Sequence, residues 1–335
     1  MRAPEFWNIT EGREAAPVLR ALLSPIGWVY GAATRRRLRK PGFDPGVPVV
    51  CVGNATLGGT GKTPVAMYLL ESFRRMRLEA VGLTRGHGGR EKGPLLVGPE
   101  LGADDVGDEA LLLGSVAPTV VSRDRAAGAR LALEGGADVI VMDDGHQNSD
   151  LVKSLTLLVV DGEVGFGNGR VFPAGPLRER AEDALARADA IVLMLPEPDF
   201  NPAPELVARF GKLPVIPAWL SPRSRLPGGP LLAFAGIGRP DKFFDTVRRE
   251  GGTVVEQAAF ADHHRYRQEE LNTLALMARE AGATLITTDK DYVRLPAGFR
   301  QGVARLSVGV EFGDELLLRQ LLHPVIAQAR KAAKR

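Results

Sequence analysis

The sequence has little cysteine and no large excess of charge of either sign. Its 335 residues include a single cysteine, Cys51, which excludes an intrachain disulfide and a multi-thiolate zinc or iron–sulfur site. We therefore expect a reducing, intracellular environment. An excess of one charge is also missing, because 43 Lys and Arg balance 40 Asp and Glu, and we expect no nucleic-acid partner. The remaining composition, 44% hydrophobic and 25% charged, is ordinary for one large globular domain or two.

A long apolar run is missing even in residues 1–40, where aromatic residues cluster. A membrane-spanning helix needs about 20 apolar residues in a row, and Arg20, Pro25 and Gly27 interrupt this segment. It is not ordered like a secretory signal, because its basic cluster, residues 35–40, follows the apolar part. Eight basic residues, three acidic residues and two of the three tryptophans lie here. This composition predicts an amphipathic leader that contacts a cytoplasmic membrane surface, or else helices that pack on the first domain.

The rest of the chain alternates apolar strands with helical segments. We predict strands at 47–53, 80–84, 119–121, 139–142, 155–160 and 190–195, and, further on, at 231–234, 253–255 and 284–287. Such alternation is typical of a parallel sheet with helices on both faces, so the fold class is α/β and P-loop NTPase-like. Four prolines in residues 196–204 predict an exposed connection. We therefore predict a first domain at 41–198 and a smaller α/β domain at 205–330.

A glycine-rich segment follows the first predicted strand and opens a helix at about residue 61. Its residues are Thr56, Leu57, Gly58, Gly59, Thr60, Gly61, Lys62 and Thr63. In a phosphate-binding loop, backbone N–H groups surround phosphate oxygens, the lysine contacts the β- and γ-phosphates, and the final hydroxyl binds Mg²⁺. Thr56 stands where glycine is usual, but the glycine turn and the Gly-Lys-Thr ending are present. The segment predicts nucleotide binding, the alternative being a glycine turn that serves only strand-to-helix packing.

Two further features concern the nucleotide and its metal. The Asn-Lys-x-Asp element of guanine-binding proteins has no correctly spaced match, since residues 288–291 read Thr-Asp-Lys-Asp, and this favours ATP over GTP. Asp143 and Asp144 end the strand predicted at 139–142, where a P-loop protein places the acidic partner of Mg²⁺. We predict both carboxylates and Thr63 as metal ligands. One of the two carboxylates could instead cap the following turn.

Taken together, the motifs resemble those of the bacterial tetraacyldisaccharide 4′-kinases, also called lipid A 4′-kinases. The matching strings follow the family's order at residues 23–30, 52–64, 84–89, 106–109, 143–147, 166–169, 173–179, 235–238, 262–264 and 288–291. The resemblance implies ATP- and Mg²⁺-dependent phosphorylation of the 4′-hydroxyl of a membrane-embedded tetraacyldisaccharide 1-phosphate, which gives lipid IVA in lipid A biosynthesis. It further implies a peripheral position at the cytoplasmic face of a Gram-negative inner membrane. Nothing in the sequence indicates an obligate protein partner.

The resemblance also implies which residues are catalytic. Carried over to this sequence, Asp108 is the general base and Glu109 a supporting metal or network carboxylate. Asp262 would orient His263 near Asp108, and Lys62 would contact the transferred phosphate. Because Asp262 and His263 lie in the second predicted domain, the two domains would have to close over ATP and the sugar. Composition alone would favour a solvated acidic turn around Asp108.

Three more residues are candidates for contacts with the substrate. Arg85 and Arg123 could bind phosphate oxygens, including the anomeric phosphate of the acceptor, because a guanidinium binds phosphate in a bidentate manner. The alternative for each is a surface ion pair. Glu179 could hydrogen-bond the substrate or hold its own loop.

Two rival functions stay open at this point. A P-loop ATPase acting on a soluble ligand would have no need of the aromatic, basic leader. A non-catalytic, ATP-dependent membrane switch would have no need of Asp108 and His263 as chemical groups. Some positions also depart from the commonest family pattern, namely His87, where tyrosine is usual, His146, Asn148 and residues 288–289.

Overall fold

The structure is a computed structural model that describes residues 4–9 and 11–333. Residues 1–3 and Thr10 of the predicted leader lie outside the described part, as do residues 334–335. The strands are β1 Val49–Gly53, β2 Ala80–Thr84, β3 Leu95–Leu96, β4 Thr119–Val121, β5 Val139–Asp143, β6 Leu155–Asp161, β7 Ala190–Leu195, β8 Val215–Pro222, β9 Pro230–Ala235, β10 Thr253–Ala259, β11 Thr284–Thr288, β12 Val303–Leu306 and β13 Val308–Phe312. The helices are α1 Pro17–Leu38, α2 Lys62–Arg75, α3 Ala103–Val106, α4 Asp108–Gly114, α5 Arg125–Glu134, α6 Ala181–Leu185, α7 Pro204–Ala208, α8 Pro240–Arg249, α9 Gln268–Glu280, α10 Asp289–Arg294, α11 Ala297–Arg300 and α12 Glu315–Ala332, with 3₁₀ turns at Glu5–Trp7 and Arg13–Ala15.

A large sheet carries the phosphate-loop segment. In the described part of the chain its nine strands run in the order β13-β8-β7-β6-β1-β5-β2-β4-β3, with antiparallel pairing only at the two edges. All five residues of β1 are buried, because helices cover both faces of the sheet and a continuous apolar run suits such a strand. Since β1 pairs in parallel with β5 and β6, its carboxyl end lies beside theirs. The predicted α/β fold class is confirmed.

A small sheet follows, in the order β10-β9-β11-β12 and parallel throughout. Helix α8 packs Phe243 and Phe244 on one of its faces, and α9 packs Leu271 and Leu274 on the other. The three strands predicted here lie within β9, β10 and β11. The small sheet therefore occupies residues 230–306.

The arrangement of the sheets differs from the predicted division at residues 198–205. Strand β8 joins the large sheet through β7, and β13 returns to pair with β8. Helix α12 then buries Leu318, Leu322 and Val325 in the same core as β1. The prolines of residues 196–204 do mark an exposed connection. After it, however, the chain returns to the same sheet as β8.

Helix α1 contacts the large-sheet part of the protein along a narrow face. Its buried residues are Gly27, Gly31 and Thr34. A Cβ at Gly27 would lie 2.8 Å from the carbonyl oxygen of Val171, so glycine permits this close approach. Most of the remaining helix surface is exposed. None of the helices in residues 4–9 and 11–333 combines the length and apolarity needed to cross a membrane.

Candidate active site

The predicted phosphate loop connects the buried end of β1 to the first turn of α2. Gly58 and Gly61 have φ angles of 123° and 83°, which side chains other than glycine rarely adopt. Gly61 immediately precedes α2, whose first residue is Lys62. Burial lowers the pKa of Lys62, and the nearby Asp144 opposes that effect. The strand–loop–helix setting is the one that phosphate binding requires.

A second loop, which contains Pro176 and Arg178, forms hydrogen bonds with the phosphate loop. The N–H of Leu57 donates to the carbonyl oxygen of Pro176 over 2.7 Å, and Nε of Arg178 donates to the carbonyl oxygen of Thr56 over 3.1 Å. Nη1 of the same arginine lies 2.9 Å from both carboxylate oxygens of Asp144. These contacts fix the phosphate loop relative to the end of β5.

The two adjacent carboxylates that follow β5 have different environments. Oγ1 of Thr63 donates to Oδ2 of Asp143 over 3.0 Å, whereas Oδ1 of Asp143 is buried without a hydrogen-bond partner among the described residues. Burial raises the pKa of Asp143 to about 6, although Lys62 opposes it. Asp144 lies 3.6 Å from Nζ of Lys62 and pairs with Arg178. Burial would raise the Asp144 pKa, but these two positive charges outweigh it and hold the pKa at about 2.

Thr63 and Asp143 therefore offer oxygen ligands that fit a divalent cation. In residues 4–9 and 11–333, no group of three or more His, Cys, Asp or Glu side chains is arranged to hold a metal ion. A P-loop cation does not need such a group, since phosphate oxygens and water supply most of its ligands. The unpartnered Oδ1 of Asp143 is the polar atom that such an ion would satisfy.

Asp108, in the large-sheet part of the chain, contacts two residues of the small-sheet part. It begins α4 and is 7% exposed. Its Oδ2 lies 2.9 Å from Nδ1 of His263 and accepts from Nη2 of Arg294 over 2.5 Å. Burial would raise the pKa of Asp108, but the hydrogen bonds from His263 and Arg294 hold it at about 2. The bond to Asp108 in turn raises the pKa of His263, whose Nε2 lies 4.0 Å from Asp262.

A second ion pair lies beside this one. Nζ of Lys290, in α10, lies 3.2 Å from Oε1 of Glu109. Burial would raise the pKa of Glu109, but the charge of Lys290 outweighs it and lowers the pKa. Glu109 also adds to the effect of burial on the pKa of Asp143, and Lys290 adds to the effect of burial on the pKa of Lys62. The α4–α10 contact and the phosphate loop thus share one electrostatic environment.

The three proposed substrate residues occupy different surroundings. Glu179 is 2% exposed, and both its oxygens lie 2.6 Å from Nη2 of Arg187, with Nε2 of Gln147 2.9 Å from Oε1. Arg85 and Arg123 are exposed, and neither side chain forms an ion pair with any residue in the described part of the chain. These two guanidinium groups are available to an external anion.

The sequence does not predict a functional role for Arg294, Lys290 or Arg187. Lys290 and Arg294 are four residues apart, so one helix face could present both, but nothing local indicates their partners. Those partners, Glu109 and Asp108, are 181 and 186 residues away in the chain.

The fold and the site together define a class of protein. A glycine-rich loop leads from a central parallel strand into a helix, and an acidic strand end lies beside its threonine, which is the arrangement of P-loop nucleotide-binding proteins. The particular family follows from the sequence. The family model described as tetraacyldisaccharide-1-P 4′-kinase matches residues 19–327, and the chain belongs to this family.

Individual relatives agree with that assignment. The chain is 46% identical to the tetraacyldisaccharide 4′-kinase of Maricaulis maris, with 97% of each chain covered. It is 48% identical to the protein of that name from Methylorubrum extorquens, with 98% of this chain and 100% of the relative covered. The solved structure of LpxK from Aquifex aeolicus in complex with ATP superposes with a TM-score of 0.75 at 27% identity, covering 92% of this chain and 99% of that one. The predicted family and fold class are confirmed.

Proposed function

We propose that the protein transfers the γ-phosphoryl group of ATP to the 4′-hydroxyl of a tetraacyldisaccharide 1-phosphate, the lipid A precursor, to give lipid IVA. The observation that carries this proposal is that two groups of residues from different sheets, which we call half-sites, lie together. A phosphate loop from the large sheet and a carboxylate bonded to a histidine of the small sheet share one charged environment. A phosphate-binding loop alone would serve any nucleotide switch, whereas the second half-site offers a proton acceptor.

The phosphate loop, residues 56–63, would hold the β- and γ-phosphates, with Lys62 as its charged contact. The 4′-oxygen forms a bond to the γ-phosphorus while the bond from that phosphorus to the β–γ bridging oxygen breaks, and ADP leaves. The hydroxyl proton passes to Asp108. A carboxylate with a pKa of about 2 is too weak a base to ionise a free sugar hydroxyl, so the proton moves only as the new bond forms.

Thr63 and Asp143 would hold Mg²⁺. When bound, the ion neutralises charge on the β- and γ-phosphate oxygens. Asp144 acts differently in this proposal, because it is already paired with Lys62 and Arg178 and so positions these two cations. Glu109 belongs to the network around Asp108 through its pair with Lys290.

Arg85 and Arg123 are proposed to bind phosphate of the acceptor, since both side chains are exposed and lack ion-pair partners among the described residues. Glu179 is proposed to hold its loop rather than to contact substrate, because Arg187 and Gln147 already engage its buried carboxylate. Asp262 is proposed to support His263 across the 4.0 Å that separates them.

The leader is proposed to lie on the anionic cytoplasmic face of the inner membrane as a peripheral contact. Helix α1 exposes Trp28 at 81% and Val29 at 71%, along with further apolar side chains. Arg36 and Arg37 are exposed near its carboxyl end. Aromatic residues at the headgroup level and nearby basic residues, at roughly 1 kcal/mol each, favour such binding. No obligate protein partner and no nucleic acid enter this proposal.

The test is transfer of label from γ-labelled ATP, with Mg²⁺, to detergent-dispersed tetraacyldisaccharide 1-phosphate. We expect labelled lipid from the native protein and a rate at least about 100-fold lower from Asp108→Ala. Asp104→Ala is the matched control, because Asp104 is a nearby carboxylate whose pair with Arg265 is largely exposed. Absence of labelled lipid from a native protein that binds ATP would contradict the proposal. ADP release that is slow and independent of the acceptor would then favour a switch.

A further inference from the structure

Arg294, at the end of α10, is held on three sides by polar groups. Its side chain is 4% exposed. Nη1 donates to the carbonyl oxygen of Gly236 over 2.7 Å and to Oδ1 of Asp291 over 3.0 Å, and Nη2 donates to Oδ2 of Asp108 over 2.5 Å. A planar guanidinium bonded in this way has little rotational freedom. Its position relative to Asp108 is therefore fixed by the small sheet.

The partner that anchors Arg294 is itself anchored. Asp291 is fully buried, and its Oδ1 accepts from the hydroxyl of Tyr266 over 2.9 Å and from the N–H of Gly236 over 3.0 Å. Its Oδ2 accepts from Oγ1 of Thr288 over 2.7 Å. A buried carboxylate that accepts this many hydrogen bonds has little freedom to move, and the guanidinium that it binds is fixed with it.

The two oxygens of Asp108 are used unequally. Oδ2 contacts both Arg294 and His263, whereas Oδ1 accepts no hydrogen bond from any residue in the described part of the chain. The two partners of Oδ2 are neighbours, because Nη2 of Arg294 lies 3.3 Å from Nδ1 of His263. Both contacts on one oxygen restrict rotation of the carboxylate about its last side-chain bond. The oxygen that can accept a proton from an outside hydroxyl is therefore Oδ1.

We infer that Arg294 is a positioning residue for the transfer reaction, which holds Oδ2 of Asp108 so that Oδ1 faces the acceptor hydroxyl. The inference rests on the proposed function, because it assigns Arg294 a role only through Asp108. The inference also assigns a role to α10. Through Arg294, this helix orients Asp108, the proposed proton acceptor in the large-sheet part of the protein. If Arg294 and His263 served only to link the two sheets, their contacts would not both need to fall on Oδ2 of Asp108.

The experiment measures steady-state lipid phosphorylation by native protein, Arg294→Met and Arg294→Lys, each alone and combined with Asp108→Asn. Arg300→Met is the matched control, because Arg300 also bonds backbone carbonyls at the end of α10 but has no contact with Asp108. We expect Arg294→Met to lower kcat about 100-fold, since small misplacements of reacting groups have effects of this size. Arg294→Lys should lose about 10-fold, because one amine cannot reproduce the planar fork. The KM for ATP should change less than about threefold in both.

The double variants separate positioning from a purely structural role. If Arg294 acts through Asp108, removing it from Asp108→Asn should lower kcat by no more than about threefold further. A full additional loss in that background, an equal loss in Arg300→Met, or an unchanged kcat in Arg294→Met would each overturn the inference. If Arg294→Met does not fold, Arg294→Lys is judged by the same comparison in both backgrounds. Failure of the native protein to label the lipid is a separate result that rejects the proposed function itself.

Discussion

The buried Asp143 should reduce the stability of the metal-free protein at neutral pH. Its carboxylate is 2% exposed, and burial raises its pKa from 3.8 to about 6. Between these two values the unfolded chain has lost the proton that the folded protein still holds. Folding stability therefore falls as the pH rises from about 4 to about 6, and above pH 6 the full loss remains.

The size of the effect follows from the difference between the two pKa values. Each pKa unit corresponds to about 1.4 kcal/mol, so ionising Asp143 reduces the free energy of unfolding by about 3 kcal/mol at most. An asparagine side chain at this position cannot ionise, and its amide oxygen can still accept the hydrogen bond from Thr63. Asp143→Asn should accordingly be more stable than the native protein at about pH 8 and no more stable at about pH 4.

The assay is urea unfolding at both pH values in EDTA, followed by circular dichroism and by tryptophan fluorescence. Trp219 lies in β8 of the large sheet, so its fluorescence reports on the part of the protein that contains Asp143. Asp138→Asn, immediately before β5, is the matched control and should gain nothing, because Asp138 accepts a hydrogen bond from the N–H of Glu79. An Asp143→Asn variant that is no more stable than the native protein at the higher pH would refute the reasoning. The same variant should lose activity, since Asp143 is a proposed Mg²⁺ ligand.

Three further changes test other contacts. Arg178→Met should raise the KM for ATP about tenfold in steady-state assays, because it releases Asp144 and the backbone of Thr56; an unchanged KM would contradict the supporting role of this loop. Gly107→Ala should lower the free energy of unfolding by about 2 kcal/mol or more in urea titrations, since the φ of Gly107 is 84° and a Cβ there would lie 2.2 Å from the carbonyl oxygen of His87; Gly46→Ala, also at positive φ but with open space, is the control and should lose less. The double change Trp28→Ser and Val29→Ser should weaken sedimentation with anionic vesicles about tenfold while kcat on detergent-dispersed lipid stays within about twofold; equal binding by native and variant proteins would reject the leader as a membrane contact.

The parts of the site that sequence could predict are those in which neighbours in the chain carry the chemistry. A buried strand, a glycine turn and a Gly-Lys-Thr ending are consecutive, so residues 56–63 could be placed without a structure. Asp143 could be placed for the same reason, because it ends an apolar strand. Asp108 and His263 could not, since an acidic turn and a histidine pair are ordinary surface features, and only the family resemblance assigned them a role.

Arg294 and the edge of the large sheet could not be predicted for a different reason. Arg294 pairs with a carboxylate 186 residues away, and no local pattern specifies that distance. Strand β13 has five residues and pairs antiparallel with β8, so it lacks the strand–helix–strand alternation that predicted nine of the strands. Strands β3, β8 and β12 were not predicted either. Proline content located the exposed connection at residues 196–204. Whether the strands after it join the large sheet depends on which hydrophobic core their apolar residues enter, and the sequence does not specify that core.

The charges at the junction of the two sheets follow one rule. In every ion pair that the described residues form between residues 230–306 and the rest of the chain, the small-sheet part supplies the cation or histidine and the rest of the chain supplies the carboxylate. These pairs are Arg239 with Asp161 and Glu163, Lys242 with Glu163, His263 and Arg294 with Asp108, Arg265 with Asp104, and Lys290 with Glu109. The exposed pairs contribute little each and weaken with salt, whereas Arg294 and Asp108 are both buried, so removing either one alone would leave an unpaired buried charge. The most deeply buried of these ion pairs therefore lies at the residue proposed to accept the proton, so separating the sheets would also remove the contacts that position Asp108.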